Sequence, residues 1–316
     1  MFPGAMPPER VFSPSSVWNR PIPADPVLDR RSTVWAAALA RGEHPADLYE
    51  YGVPIYDAPP TVPRFAVRTL MAPEWGRDPF AGRTVPLRAD YRPSSGSDRA
   101  MAVIDRSTGR SCEFWRYDWD DGRPVTAWGG VRALAGRGIG GAATGAGVSR
   151  LAGVIRAGEI ATGAIEHTLA FSSDNNCSRL FRRPATRTDG HSTDPDCLPE
   201  GARVQLDPAV DVDALPGATT AERIIARALQ RYGAVNVDNG GAAMALIFEV
   251  PTAGLDPYPG SGLTWDYYDM RAIPWDRLRV LRRWYGGGPH RRRTASRPAT
   301  RSAANRVPNT NRISGP

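Results

Sequence analysis

Met101-Ala-Val-Ile-Asp105, Ser107-Thr-Gly-Arg110, Cys112-Glu-Phe-Trp-Arg-Tyr117, Asp120-Asp-Gly122 and Val125-Thr-Ala-Trp128 follow one another along the chain. Two strand-like runs joined by a polar, glycine-containing turn read as a β-hairpin. The second turn leads into a third strand of a meander. Upstream, Phe65, Val67 and Thr69 alternate with Arg64, Ala66, Arg68 and Leu70, the period of a half-buried strand. Downstream, residues 129–147 form a glycine-rich loop, and a short helix follows around Ala157–Thr162. A strand runs from Glu166 to Ser172, and Arg203–Leu206 is a short one. Ala234–Val237 and Met244–Val250, joined by Asp238-Asn239-Gly240-Gly241, read as a second hairpin.

Helices are few. Asp29–Arg41 is a candidate, with Ser32 or Asp29 as cap and Gly42 as stop. The best is 220–232, where Thr219 and Glu222 make a capping box and Ile224, Ile225, Ala228, Leu229 and Tyr232 share one face before Gly233. Pro274–Leu281 reads as a last short helix. The chain holds 32 glycines and 30 prolines in 316 residues. Prolines scattered at that density leave little room for long helices. The expected fold is mainly β: a single antiparallel β-sandwich or jelly-roll-like core with a few short peripheral helices. Residues 1–28 read as an extended arm packed on the domain through Phe12, Val17 and Trp18. Residues 29–285 form the β-rich domain, and 286–316 a disordered arginine-rich tail.

No lysine occurs, so all 40 basic residues are arginine, against 33 acids. Seven of the arginines lie beyond Gly286, where there is no acid, and the rest of the chain is neutral. The folded part thus carries no basic excess that would point to nucleic acid. No stretch approaches 18 apolar residues, so no membrane span is expected. The opening residues lack the basic and apolar regions of a secretory signal. Of three cysteines, none are at Cys-x-x-Cys spacing, so no zinc site is indicated. Three reduced thiols is the plain reading, although Cys177 and Cys197 could close a loop.

Gly136-x-Gly138-x-x-Gly141 matches a dinucleotide-binding pattern on paper but lacks the preceding strand and following helix that the chemistry needs. A lysine-free chain has no phosphate-binding Walker lysine, and neither cofactor nor metal is expected. His191 sits between Asp189 and Asp194 in an exposed-looking turn. His167 lies within the 166–172 strand, on the face of Leu169 and Phe171. The candidate catalytic set is Asp98, Glu113, His167 and Asp189, with Trp115, Trp119 and Trp128 as a glycan-stacking platform. Glycan hydrolysis pairs two carboxyl groups, one as acid and one as base or nucleophile, and aromatic rings stack on sugar faces. Asp98 and Glu113 would be neighbours across adjacent strands.

Phe12-Ser-Pro-Ser-Ser-Val-Trp-Asn-Arg-Pro-Ile-Pro-Ala-Asp25 resembles the opening of a family found in actinobacteria and their tailed phages. The similarity continues through Gly96-Ser-Asp98, Glu113-Phe-Trp115, Trp128-Gly-Gly130, Gly163-Ala-Ile-Glu-His167 and Arg187-Thr-Asp-Gly190, and covers roughly residues 11–282. Bacterial members carry signal peptides, and phage members are similar to minor tail proteins. The resemblance implies a virion tail protein, made in the host cytoplasm, whose partners are other tail proteins and a host cell-envelope glycan. Arg99-Ala-Met101 departs from the pattern, since many members carry a histidine before that methionine. The two functional expectations are a minor tail protein presenting a β-sandwich for glycan recognition, and a glycan-cleaving enzyme of the actinobacterial envelope.

Overall fold

The computed structural model describes residues 9–141, 143–254 and 256–282. The predicted tail, 286–316, and the first eight residues of the arm lie outside them. The long meander forms as read: Met101–Asp105 pairs antiparallel with Arg110–Asp120, which pairs antiparallel with Arg123–Ala133. The third strand therefore runs into what reads as glycine-rich loop, because Gly129 and Gly130 sit opposite Phe114 and Glu113 in an extended ladder. The fold is mainly β, with most strands in two large sheets. The six-stranded sheet has the order Glu249–Val250, Val53–Ala58, Met101–Asp105, Arg110–Asp120, Arg123–Ala133, Arg68–Thr69. The seven-stranded sheet has the order Tyr268–Asp269, Pro45–Asp47, Ala245–Ile247, Leu169–Ser173, Ala234–Asn239, Arg203–Leu206, Leu278–Leu281.

Both sheets are mixed, not antiparallel as expected. Segment 45–58 lies parallel to 245–250, first as Ala46 opposite Leu246 and then as Val53 opposite Glu249. One stretch of chain thus passes from the seven-stranded sheet into the six-stranded one. The expected hairpin 234–250 does not form. Leu169–Ser173 inserts between its two arms, parallel to Ala234–Asn239 and antiparallel to Ala245–Ile247. Turn chemistry at Asp238–Gly241 signals a reversal but cannot say whether another strand fills the gap. The 274–281 helix is also corrected: a single 3-10 turn at Trp275–Arg277 precedes a strand, Leu278–Leu281, paired with Arg203–Leu206. The helix at Thr220–Arg231 carries the predicted Thr219–Glu222 capping box and buries the predicted face. Gly233, at φ 67°, ends it where an added Cβ would fall 2.2 Å from the Val204 carbonyl oxygen.

The strand Met101–Asp105 is buried on both faces. Ala102 and Ile104 join Val53, Ile55, Val235 and Val237 in one apolar cluster, whereas Met101 and Val103 join Phe80, Leu87 and Phe114 in another. A third cluster unites the helices at Ser32–Ala40 and Thr220–Arg231 with the other side of the seven-stranded sheet.

From residue 9 on, the N-terminal segment lies against the sheets, and its motif explains itself structurally. The Asn19 side-chain amide donates to the carbonyls of Val11, Phe12 and Ser13 at 2.9, 3.2 and 3.1 Å, closing the segment on itself. Trp18 is 1% exposed, its indole N–H donates to Gly138, and its carbonyl accepts from the Thr168 amide at 2.7 Å. The Phe12–Asn19 signature is thus a docking element, remote from the cleft described below. Cys177 and Cys197 form a disulfide, which corrects the reading of three reduced thiols, and Cys112 is free and buried.

Trp18→Ala should destabilise the protein by about 3–5 kcal/mol, the cost of truncating a buried aromatic. Urea denaturation checks this. A loss below about 1 kcal/mol would mean that the arm is not part of the core.

Candidate functional site

The meander positions the site through a change of face. Up to Trp115 the strand alternates normally: Cys112 and Phe114 enter an apolar cluster, and Glu113 and Trp115 face the other way. At Arg116 the backbone adopts φ 53°, in the left-handed region. Beyond it, Tyr117 and Trp119 lie on the side of Cys112 and Phe114. Trp119 therefore packs edge-on against Phe65 and leaves the predicted platform. Trp115 and Trp128 are directly paired across the strands and line one cleft.

That cleft has a volume of about 340 Å³ and brings Asp98, Asp189 and Asp238 together with Trp75, Trp128 and Arg150. Asp98, Arg150, Asp238 and Asn239 also line an adjoining basin of about 460 Å³. Trp75, which sequence reasoning missed, comes from the turn after Pro73. It stacks on Trp115 with centroids 5.6 Å apart and meets Trp128 edge-on at 6.0 Å, while remaining 51% exposed. The Arg116 guanidinium lies over the Trp115 ring at 4.5 Å, and the Trp115 indole N–H donates to Asp98 Oδ1 at 2.9 Å. Trp115 thus supports Trp75 and orients Asp98, leaving Trp75 as the open aromatic surface.

Opposite stands the end of the glycine-rich stretch, residues 143–150, which is buried. The Thr144 hydroxyl donates to the Val148 carbonyl and accepts from the Val148 amide, both at 3.0 Å, and the Gly145 amide donates to Asp238 Oδ1 at 3.1 Å. A Cβ at Gly145 would lie 2.3 Å from Asp189 Oδ1, so the Asp189 carboxyl rests directly on this glycine. Arg187 holds the loop from the other side, its guanidinium donating to the Gly145 and Thr144 carbonyls at 3.1 and 2.7 Å. The Cys177–Cys197 bridge closes the segment that carries Asp189. Asp238 follows a register shift between Asn236 and Asp238 in the pairing with Leu169–Ser173, the kind of irregularity that re-aims a side chain.

The electrostatics separate the carboxyl groups. Burial raises Asp238 from 3.8 to about 7, and the neighbouring Asp189 and Asp98 push the same way against the Arg150 guanidinium 3.9 Å away. Burial, followed by the charge of Asp189, raises Glu200 to about 8. Glu200 is fully buried behind the Asp189 turn and accepts from its amide at 3.2 Å. The indole N–H of Trp128, Nε of Arg150 and Oδ1 of Asn239 are buried without a hydrogen-bond partner.

Of the predicted set, Asp98 and Asp189 meet in the cleft. Glu113 does not: it is fully buried and accepts from Ser111 Oγ at 2.7 Å, from the Arg150 amide at 2.9 Å and from Ser149 Oγ. It faces the same way as Trp115, yet it pairs with Ala102 while Asp98 is held opposite Arg116. Three residues of strand, roughly 10 Å, separate the two. His167 lies elsewhere, before the strand that starts at Leu169, in a separate cavity beside the arm. Its Nε2 meets Glu159 at 3.0 Å and its Nδ1 the Thr168 carbonyl at 3.0 Å. Burial would lower it, but Glu159 and Thr168 together hold it above its ordinary value. His191 stands at the rim, 3.4 Å from Asn239 Nδ2. Asp238 and Arg150 were missed because Asp238-Asn-Gly-Gly reads as a turn and Arg150 as one arginine among 40.

Among the described residues no cluster of histidine, cysteine and carboxylate side chains could hold a metal ion, and no helix is long and apolar enough to cross a membrane. Comparisons with protein-family models, curated proteins and solved structures gave no match to this chain.

Asp238 predicts a pH signature. The native state keeps its proton to about 7, whereas the unfolded chain releases it near 3.8, so this group loses stability as pH rises from about 4 to 7. Asp238→Asn should remove that slope, its stability relative to wild type increasing across the window and levelling above it. Urea midpoints at four or five pH values check this, and parallel curves for the two proteins would contradict it.

Proposed function

We propose that this chain is a phage tail component whose cleft grips a glycan of the actinobacterial envelope and hydrolyses it. The observation that carries the chemistry is the convergence of Asp98, Asp189 and Asp238 in one cleft under an exposed indole, with burial raising the Asp238 carboxyl to about 7. Glycosidases use such a division: one carboxyl donates to the leaving oxygen, and another activates water or attacks. In this reading Trp75 stacks on a sugar face and Asp238 protonates the glycosidic oxygen. Asp189, seated on Gly145, takes a proton from the attacking water. Water adds across the C–O bond, and the proton gained by Asp189 restores Asp238 through exchange with solvent. Asp98, oriented by Trp115, supplies further negative charge near the developing oxocarbenium ion.

The tail setting rests on the Phe12–Asp25 resemblance, and its partners would be neighbouring tail proteins. The apolar cluster shared by strands of both large sheets supports a sandwich-like body that presents the cleft. Recognition without cleavage is a second reading, supported by Trp75, whose open face serves binding as well as hydrolysis.

Release of reducing ends from purified actinobacterial envelope polysaccharide is the test. Asp238→Asn should lower kcat by about 10²–10⁴ with KM little changed, the range for loss of a general acid. Trp75→Ala should raise KM. Full activity in Asp238→Asn would remove it from the mechanism. Binding by wild type with no new reducing ends would leave recognition alone.

A further inference from the structure

The basin next to the tryptophans has features of its own. Asp47 ends the strand Pro45–Asp47 and lines this basin at 9% exposure, yet its carboxyl has no hydrogen-bond partner among the described residues. Burial, aided by Asp266, raises it to about 7. A carboxyl in that position keeps little contact with water and has no protein donor in its place, a cost that a ligand hydroxyl would relieve. Its neighbour Asp266 is occupied differently, accepting from the amides of Leu48, Tyr49 and Glu50 at 3.0, 3.2 and 2.8 Å. Two aromatic rings flank Asp47. Tyr51 is 39% exposed with its hydroxyl 3.3 Å from Ser97 Oγ, and Tyr267, at φ 61°, donates its hydroxyl to Glu50.

The two basins are continuous. Asp98, Arg150, Asp238 and Asn239 line both, so the proposed proton donor stands at their junction. Each volume falls within the range of about 300–1,000 Å³ typical of ligand sites. Carboxyl groups outnumber guanidinium groups along the joined wall, with Glu43, Asp47, Asp98, Asp189 and Asp238 against Arg150 and Arg187.

We propose that the Asp47–Tyr51–Tyr267 basin is a second sugar subsite, that one neutral glycan chain occupies both basins, and that cleavage at the junction is therefore internal. The proposal rests on the glycan reading of the cleft and adds the substrate's length, charge and mode of attack. A neutral chain is selected because Glu43, Asp98 and Asp189 would repel uronate or phosphate groups, while Arg150 and Arg187 are already engaged, Arg150 with Asp238 and the Ala143 carbonyl and Arg187 with the Thr144 and Gly145 carbonyls. Asp47 hydrogen-bonds a sugar hydroxyl, and Tyr51 stacks on the ring that carries it.

Calorimetric titration of the full chain with neutral envelope oligosaccharides of two to eight sugar units tests this, with a uronate-bearing set of the same lengths as the comparison. Affinity should rise at least tenfold between the shortest and longest neutral chains and be at least tenfold weaker for the uronate set. Asp47→Ala and, as a surface variant with little risk to folding, Tyr51→Ala should each weaken binding of the longest chain about tenfold. Early products from polysaccharide should be mixed long fragments. If neutral chains bind with no dependence on length, or both variants bind the longest chain like wild type, the second subsite falls while the glycan reading of the tryptophan basin stands. If uronate chains bind as tightly, the charge selection falls. If no oligosaccharide binds wild type, the glycan reading falls and this subsite with it.

Discussion

A fully buried acidic side chain, Glu113, ties the two halves of the site together. An uncompensated polar group at such a position would cost several kcal/mol. Its three donors therefore have to be in place whenever the protein is folded: Ser111 on its own strand, and Ser149 and the Arg150 amide on the glycine loop. The loop is thereby registered against the meander. Arg150 reaches Asp238, Gly145 supports Asp189, and the cleft has a second wall. Glu113 acts on the cleft only through this placement.

The second constraint is conformational. A single left-handed residue, Arg116, turns the strand over between Trp115 and Tyr117. Without that change Trp119 would share the face of Trp115, and the alternation seen in Cys112–Trp115 would continue. With it, one side of the strand end fills an apolar cluster through Tyr117 and the other side presents Trp115 beneath Trp75. Left-handed backbone at a non-glycine residue costs of order 1–3 kcal/mol and persists where surrounding contacts overdetermine it. Here the Arg116 amide donates to the Asp98 backbone carbonyl at 2.7 Å, and its guanidinium lies over Trp115. The same residue thus sets the strand's twist and the position of Asp98.

The remaining parts arrive from distant segments. Asp238 comes from the end of a strand in the seven-stranded sheet, Asp98 and Trp115 from the six-stranded sheet and its leading turn, and Asp189 from a disulfide-closed loop. The adjoining basin lies where the chain 245–250 passes from one sheet to the other, next to the parallel segment 45–58. Asp47 occupies that junction, which brings a strand-end carboxyl to the same wall as Asp98.

The sequence by itself determined what depends on neighbours along the chain. The meander of 101–128 follows from alternation and turn residues, and the helix at 220–231 from its capping box and apolar face. It also offered Asp98, Asp189, Trp115 and Trp128 as candidates, and these four line one cleft. Tertiary structure decided the rest. Parallel pairing of strands far apart in sequence leaves no local signal, so the mixed sheets and the strand inserted at 169–173 could not be read. A face switch at one arginine is invisible to a period-two pattern, which kept Trp119 in the predicted platform. Burial separated Glu113, sequestered by its donors, from Asp238, hidden in a turn-like run. The protonation of a carboxyl depends on what surrounds it in space, and these surroundings come from four separate stretches of chain.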